Sequence, residues 1–399
     1  MADNIPRWRG ALYAALVVAI FFGVAELVFR VHDFKFYYNL SADVLGMPVF
    51  DMSRFRRIAN NTVEFDPEVF WKFKPNQVLN AEGVYLKPVR INNFGFRGAD
   101  FPKDKPAGTF RVICLGDSAT FGWSVGDEET YPSQLELALQ KAHPGCKVEV
   151  LNLGVTGYTS FQGRQLFKKW GPLLKPDLVL ASFGVNDRYP ALRSDEEHHQ
   201  AGTWKVGRLN LLLRHSEVYK LVKAGVVYAE RRRSGLSLNQ KTFLPQLKRK
   251  VSEDEYSANL KAINDECQNI GCQVIILNDD FPSLAQDPSL DLLRAVAEKH
   301  GGSLSPAWKP WNEIDLNNKI SGETGAPLLD LRSLLAENIP QVLAGSENPD
   351  LKKEPWRMLM VDPGHPNAHG NKIIADRLAE MIDSQPAFSQ FRSKCEKEN

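Results

Sequence analysis

The sequence predicts an α/β protein: a three-layer α/β/α sandwich around a parallel sheet of about five strands, preceded by one N-terminal transmembrane helix. Short apolar runs that end in glycine or a polar residue, typical of buried strands, alternate with longer stretches of helical periodicity. This alternation favours a parallel sheet with helices on both faces. A nearly uncharged run close to the N-terminus adds the membrane helix.

Length and composition indicate one large globular domain with extensions. The 399 residues are 43% hydrophobic and 24% charged, with a net charge of +1. This balance gives no reason to expect a nucleic-acid partner or an acidic one. We divide the chain into a cytoplasmic tail (1–10), a transmembrane anchor (11–29), a juxtamembrane region with short strands (30–108), the main domain (109–385, with a helical insertion at 188–255) and a C-terminal tail (386–399).

The anchor is predicted from twenty residues between Arg9 and Arg30 that carry a single charge, Glu26. Twenty helical residues span about 30 Å, the hydrocarbon thickness of a bilayer. Trp8 and the flanking arginines suit the two membrane interfaces, and Arg7 and Arg9 favour an N-terminus on the inside. We therefore expect a single-pass protein of the cell membrane whose large domain is extracytoplasmic.

Two alternatives to a retained anchor stay open. Gly23-Val24-Ala25 would serve as a cleavage site if the apolar run were a signal peptide. The run could also be a buried core helix.

The juxtamembrane region holds two candidate short strands, Val84–Leu86 and Val89–Asn92, followed by a turn at Asn93–Gly98. The main domain then alternates in a βα manner. Strands are predicted at 111–116, 147–153, 177–183, 273–278 and 327–331. Helices are predicted at 131–142, 160–170, 256–270, 287–300 and 367–383.

The insertion interrupts this alternation. Residues 210–233 form an apolar stretch with helical spacing and a basic end, Arg231–Arg233. An amphipathic helix packed on the core is the interpretation we favour. A lid, or a face that lies on the membrane surface, is the alternative.

The five cysteines are small and odd in number for a chain of this length, so we predict no disulfide framework. Cys114 falls inside the first strand and is expected to be a small buried hydrophobic residue. Cys267 and Cys272 are close enough in sequence to pair if the domain is exported. Whether they do is left open.

A catalytic site is predicted from two parts of the sequence. The first is Val112–Ser118, an apolar run that stops at Gly-Asp-Ser, and the second is Asp362 and His365 near the far end of the chain. A serine just beyond a buried strand lies where open parallel sheets bind ligands. A histidine can take its proton and make it a nucleophile, and an aspartate can orient that histidine. Taken singly, Ser118 could be a helix N-cap and Asp362 and His365 a capped loop.

Two further segments, Val148–Gly157 and Asp177–Asp187, are strands that end in Gly-x-x-Gly and Gly-x-Asn-Asp. The four blocks, in this order, resemble the SGNH hydrolases, the GDSL-type esterases, in their membrane-anchored bacterial form. The resemblance covers roughly residues 90–385 and includes the Asn93–Gly98 turn. It implies an SGNH/flavodoxin-like fold, no cofactor, and carboxylic ester hydrolysis through a Ser-His-Asp triad and an acyl-enzyme.

Carried over residue by residue, the resemblance makes Ser118, Asp362 and His365 catalytic. It assigns the oxyanion hole to the backbone N–H groups of Ser118 and Gly157 and to the side-chain amide of Asn186. Asp117 and Asp187 are expected to brace the loops through hydrogen bonds. His369 has metal-ligand spacing from His365, but the pair begins in a proline-containing loop, so no metal site is predicted.

The residues around the nucleophile, Thr120, Phe121, Trp123 and Tyr158, are the predicted substrate-binding set. They combine aromatic faces with hydroxyls, which suits a sugar ring. We therefore predict an O-acetylated glycan as the acyl-ester substrate, with a lipid ester as the second candidate. An O-acyltransferase that uses the same acyl-enzyme, and a catalytically silent glycan-binding domain, remain alternative functions.

Overall fold

The computed structural model describes residues 7–32, 62–80, 87–191, 194–202, 213, 216–219, 221–222, 225, 248–281, 312–344 and 348–398. The strands are β1 (Val63–Asp66), β2 (Phe70–Phe73), β3 (Gln77–Leu79), β4 (Val89–Ile91), β5 (Thr109–Gly116), β6 (Lys147–Asn152), β7 (Leu178–Ser182), β8 (Pro190–Ala191), β9 (Lys248–Arg249), β10 (Gln273–Asn278), β11 (Leu328–Asp330), β12 (Met360–Asp362) and β13 (His365–Pro366).

The α-helices alternate with these strands through the main domain. They are α1 (Arg7–Val31), α2 (Ser118–Phe121), α3 (Tyr131–Ala142), α4 (Ser160–Leu174), α5 (Asp195–Gly202), α6 (Glu253–Asn269), α7 (Glu313–Thr324), α8 (Leu331–Ala344), α9 (Pro349–Lys353), α10 (Ala368–Asp383) and α11 (Pro386–Glu398).

A five-stranded parallel sheet forms the centre of the domain, in the order β6-β5-β7-β10-β11. Every residue of β5 and of β7 is buried. Strands of this kind read as continuous apolar runs because helices cover both faces of the sheet. Within this sheet, β5 is followed by β6 on one side and then by β7, β10 and β11 on the other. In such sheets ligands bind where the direction reverses, here between β5 and β7.

Two apolar cores lie on the two faces of the sheet. One holds Phe161 of α4, Ile263 of α6 and Ile320 of α7. The other holds Leu135 of α3 and the buried residues of α8, α10 and α11. The predicted three-layer α/β/α sandwich and its five strands are therefore confirmed.

Side chains at the helix starts explain why the elements begin where they do. Thr159 and Gln162 form a capping box at α4, and Ser252 and Glu255 form another at α6. Asn367 caps α10 by accepting from the N–H groups of His369 and Gly370. Each cap satisfies N–H groups that the first helical turn leaves without partners.

The C-terminal segment differs from the prediction. Residues 386–399 were expected to form a tail, but Pro386–Glu398 form α11, whose Phe388 is buried against Phe110 at a ring distance of 5.0 Å. Helices α7 and α8 were not predicted. Of the other predicted elements, the strand at 84–86, the helix at 287–300 and most of the 210–233 stretch lie outside the described residues.

Two disulfides correct the prediction that the cysteines form no disulfide framework. Cys267 pairs with Cys272, and Cys146 pairs with Cys395 over a separation of 249 residues. Cys114 is free and buried, as predicted. Two disulfides among five cysteines are typical of proteins that fold in an oxidising compartment.

The N-terminal helix α1 contains the span Trp8–Val31, which is long and apolar enough to cross a membrane. None of its most apolar window is buried inside the protein. A core helix would be buried, so this alternative is not supported. Length and composition fit a retained anchor and a signal sequence equally well.

Candidate active site

Ser118 lies directly beyond β5, as the first residue of the short helix α2. Asp117 caps this helix, because its Oδ1 accepts from the N–H of Ala119 at 2.8 Å. The side chain of Ser118 is half-buried, while Ala119, Thr120 and Phe121 are buried behind it. The strand-to-helix turn therefore presents the serine hydroxyl at the carboxyl edge of the sheet.

Asp362 and His365 lie opposite each other in a small hairpin of β12 and β13. The Nδ1 atom of His365 is 2.7 Å from Oδ1 of Asp362 and 2.9 Å from its Oδ2. The Nε2 atom of His365 is 2.8 Å from Oγ of Ser118. The hairpin thus brings both residues to the serine, and the three side chains form one continuous chain of hydrogen bonds.

The charge of Asp362 decides how the protons are arranged in this chain. Burial alone would raise the pKa of this carboxyl, but the hydrogen bond and positive charge of His365 and the N–H of Gly364 outweigh it, so the pKa lies below its usual value. An ionised carboxylate only accepts hydrogen bonds, so Nδ1 of His365 must be the donor. In the neutral ring Nε2 is then the acceptor that faces the serine hydroxyl.

Asn186 follows β7 and is buried close to the serine. Its amide nitrogen donates to Oδ2 of Asp117 at 2.8 Å and to the carbonyl of Tyr158 at 3.0 Å. Gly157, the residue before Tyr158, has a φ of 81°, in the region that favours glycine. Three loops, which follow β5, β6 and β7, therefore meet at this side chain.

Gly154, the other glycine of the β6 loop, has a different role. A side chain there would lie 2.4 Å from the backbone nitrogen of Phe121. The glycine is needed because the backbones of two loops approach each other closely at this point.

The two aspartates beside the site brace it, as predicted. Asp117 accepts from Ala119 and Asn186, and Asp187 accepts from the backbone N–H and the hydroxyl of Ser160. Burial raises the pKa of Asp187 to about 8, although the hydrogen bonds from Ser160 act in the opposite direction. Burial and the neighbouring carboxyl of Asp279 also raise the pKa of Asp117.

The predicted substrate-binding set is corrected by the structure. Thr120, Phe121 and Tyr158 are at most 1% exposed. The hydroxyl of Thr120 contacts that of Tyr131, the ring of Phe121 stacks on that of Phe73, and the hydroxyl of Tyr158 donates to the carbonyl of Trp71. These side chains support the site from behind and do not line it.

Trp123 differs from the other three members of the set. It is half-buried, and its ring centroid lies 5.9 Å from that of His365. It therefore remains a candidate substrate contact.

Arg97 is a functional candidate that the sequence analysis did not single out. Its buried guanidinium donates to the carbonyls of Phe121, Gly122 and Val125 at 2.9, 2.5 and 2.7 Å, and its Nε donates to Asp127. It therefore holds the loop that follows the nucleophile. The signal was present in the arginine of the turn at Asn93–Gly98, which resembles a family element.

Metal ligation has no support in the part of the chain that the structure describes. No group of three or more histidine, cysteine, aspartate or glutamate side chains is arranged there to hold an ion. His369 is exposed in the first turn of α10, on the helix that begins beyond the hairpin.

Comparison with known proteins gives one strong result. Residues 114–373, about two-thirds of the chain, match the GDSL-like lipase/acylhydrolase family. No curated protein matches the chain significantly.

Solved structures give only distant similarities. Axe2, an acetylxylan esterase from Geobacillus stearothermophilus, is 17% identical over 71% of this chain and 94% of its own, with a TM-score of 0.37. The psychrotrophic esterase EstA from Pseudoalteromonas sp. is 14% identical over 68% of this chain and 96% of its own, also with a TM-score of 0.37. At such scores neither structure carries an argument about the substrate.

Proposed function

Because the chain belongs to the GDSL-like lipase/acylhydrolase family, and is thus an acyl ester hydrolase of the SGNH type, we propose that it works through an acyl-enzyme formed on Ser118. The observation that carries this proposal is the chain of hydrogen bonds from Asp362 through His365 to Ser118. A serine hydroxyl is a weak nucleophile until a base removes its proton, and Nε2 of His365 lies within hydrogen-bond distance of that proton.

In the first step Oγ of Ser118 attacks the carbonyl carbon of the ester, while Nε2 of His365 takes the hydroxyl proton. The tetrahedral intermediate collapses, the bond to the alcohol oxygen breaks, and the imidazolium returns the proton to the departing alkoxide. Water then attacks the acyl-enzyme and gives its proton to His365, which returns it to Oγ of Ser118 as the acid leaves. Asp362 stabilises the imidazolium in both halves of the reaction.

We assign the oxyanion hole to the N–H groups of Ser118 and Gly157 and the amide of Asn186. Donors aimed at the developing negative charge lower the barrier because they are already in place before the reaction. The convergence of the three loops at Asn186 supports this assignment. The amide nitrogen has two hydrogens, which donate to Asp117 and to the carbonyl of Tyr158, so the bond to the oxyanion replaces one of these two when substrate binds.

For the substrate we propose an O-acetyl ester on an extracytoplasmic glycan. The apolar helix α1 and the two disulfides support a domain outside the cytoplasm. The half-buried ring of Trp123 beside His365 offers a flat apolar face on which a sugar ring can stack. A lipid ester is the competing substrate.

The test is covalent labelling with a fluorophosphonate probe, followed by hydrolysis of acetyl and octanoyl esters. Ser118→Ala should abolish labelling and turnover, and Ser393→Ala, an exposed serine on α11, should change neither. His365→Ala should be as inactive as Ser118→Ala, whereas His369→Ala should retain wild-type turnover. Labelling of the Ser118→Ala variant would refute the assignment of the nucleophile. A steep rise of activity with acyl length would indicate a lipid ester as the substrate instead of the acetylated glycan.

A further inference from the structure

The helix α1 is covered on one small face near its C-terminal end. Among its side chains that the structure describes, those of Ala25, Glu26 and Phe29 are half-buried, and the others are exposed. Phe29 stands four residues after Ala25 and three after Glu26, and both spacings place side chains on the same side of a helix. Among the described residues, a segment of the main domain contacts α1 at this face.

The contact is made by residues 216–219 of the insertion. The hydroxyl of Ser216 donates to Oε2 of Glu26 at 2.9 Å, and the N–H of Val218 donates to the same oxygen at 3.1 Å. The other oxygen, Oε1, accepts from Nε of Arg30 at 2.9 Å. The hydroxyl of Ser216 also accepts from the N–H of Tyr219, and so closes the turn that presents these donors.

Glu26 is the single charge in the apolar run of α1. A carboxylate in or near hydrocarbon is costly unless its oxygens have partners, and such residues in membrane helices usually have a function. Both oxygens of Glu26 have partners, and two of the donors come from a segment about 190 residues further along the chain. A signal peptide that is removed would not need hydrogen-bond donors from the folded domain.

The depth of this contact places the segment at the membrane. Glu26 stands five residues before the end of α1, which at 1.5 Å per residue is about 7.5 Å along the helix. Beyond the contact, Leu221 and Val222 remain 42% and 48% exposed. The sequence adds Arg214, Lys220 and Lys223 to the same stretch. Exposed apolar residues among basic ones are typical of segments that lie in the headgroup region.

We propose that Glu26 docks the described residues 216–219, 221 and 222 against the retained anchor, so that they lie on the outer surface of a phospholipid bilayer. The exposed apolar side chains of this segment contact the lipid that surrounds α1, because the contact with Glu26 holds the segment beside the membrane helix. The proposal is independent of the catalytic assignment, since none of these residues belongs to the proposed site. Among the open interpretations of the insertion, it favours a membrane-surface element.

The experiment uses the full chain in vesicles of phosphatidylcholine and phosphatidylglycerol. An environment-sensitive dye is attached at Leu221→Cys and, as the matched control, at Leu137→Cys, an exposed leucine on α3. We expect lipids brominated close to the headgroup to quench the dye at position 221 but not at position 137. Equal, water-like emission at both positions would overturn the proposal.

The docking role of Glu26 is tested in the same vesicles with Glu26→Ala, which removes both oxygens that accept from Ser216, Val218 and Arg30. We expect the dye at position 221 to lose its quenching by brominated lipid and to become accessible to iodide. Ser216→Ala should act in the same direction, and the double variant should be no worse than Glu26→Ala. Unchanged quenching in Glu26→Ala, or a mature protein that lacks α1, would refute the docking.

These outcomes are distinguishable from a failure of the proposed catalysis. Fluorophosphonate labelling of Ser118 is measured on every variant, and we expect it to be retained in Glu26→Ala. A dye that is quenched by lipid in a protein that the probe does not label would support the docking and contradict the nucleophile.

Discussion

The carboxyl group of Asp187 accepts hydrogen bonds from the backbone N–H of Ser160 at 3.0 Å and from its hydroxyl at 2.5 Å. This contact joins the loop after β7 to the first residue of α4. Asn186 is next to Asp187, and Gly157 stands three residues before Ser160. The two proposed oxyanion donors therefore belong to loops that are tied together twice, by this contact and by the bond from Asn186 to the carbonyl of Tyr158.

The first prediction concerns the pH dependence of stability. Burial raises the pKa of Asp187 to about 8 and that of Asp195 and Asp279 to about 6. These values lie above the unfolded value of about 3.9, so the folded state binds more protons. The stabilising contribution is complete below pH about 4 and is lost as the pH rises through the folded pKa values.

We expect the unfolding free energy to fall between pH about 5 and about 8, and to fall less steeply in Asp187→Asn, which cannot ionise. Urea unfolding at several pH values measures this slope. Asp104→Asn, at an exposed position, is the control and should keep the wild-type slope. An equal slope in Asp187→Asn would contradict the prediction.

The second prediction concerns Asn186→Ala. Loss of one oxyanion donor typically lowers kcat by about 10²–10³, and here it also releases the carbonyl of Tyr158 beside Gly157. We expect kcat to fall by at least this factor while KM changes little. Steady-state kinetics with an acetyl ester measure both constants, and Asn338→Ala on α8 is the control. A change confined to KM would place Asn186 in substrate binding.

The third prediction concerns Arg97→Lys. An ammonium group cannot reach the three carbonyls that the guanidinium binds, and each buried carbonyl left without a partner costs about 1–3 kcal/mol. Because these carbonyls belong to the loop that carries Trp123, we expect a lower Tm together with a lower kcat. Arg90→Lys, an exposed arginine on β4, should change neither. Thermal unfolding and kinetics of the two variants decide the point.

The fourth prediction compares the two disulfides. A cross-link stabilises more when it closes a longer loop, by about 5 kcal/mol at most. The bridge Cys146–Cys395 closes 249 residues and Cys267–Cys272 closes 5. Replacement of both cysteines by serine should therefore lower Tm more for the first pair than for the second. Calorimetry of the two double variants tests this order, and a reversed order would contradict it.

The sequence predicts those elements whose pattern is visible within their own residues, and it misses those that depend on distant partners. The strands β5, β7 and β10 are buried on both faces, so their apolar runs are visible without any knowledge of their partners. Helix α8 contains Pro340, a residue that normally argues against a helix. Helix α11 is mostly polar, and it is held by Phe388 and by Cys395, whose partners lie far away in the sequence.

The same distinction applies to the candidate site. Ser118, Asp362 and His365 were predicted from their order and spacing, and the structure brings them within hydrogen-bond distance. Thr120, Phe121 and Tyr158 were chosen by proximity in sequence to the nucleophile or to Gly157. Proximity does not say which way a side chain points, and these three side chains are buried in the core.

The proposed nucleophile and its base, Ser118 and His365, stand 247 residues apart in the chain. Synthesis from the N-terminus therefore makes Ser118 long before His365. A chain that stops or is cut between these two residues carries the serine without the base that would activate it. We therefore expect such fragments to lack hydrolytic activity.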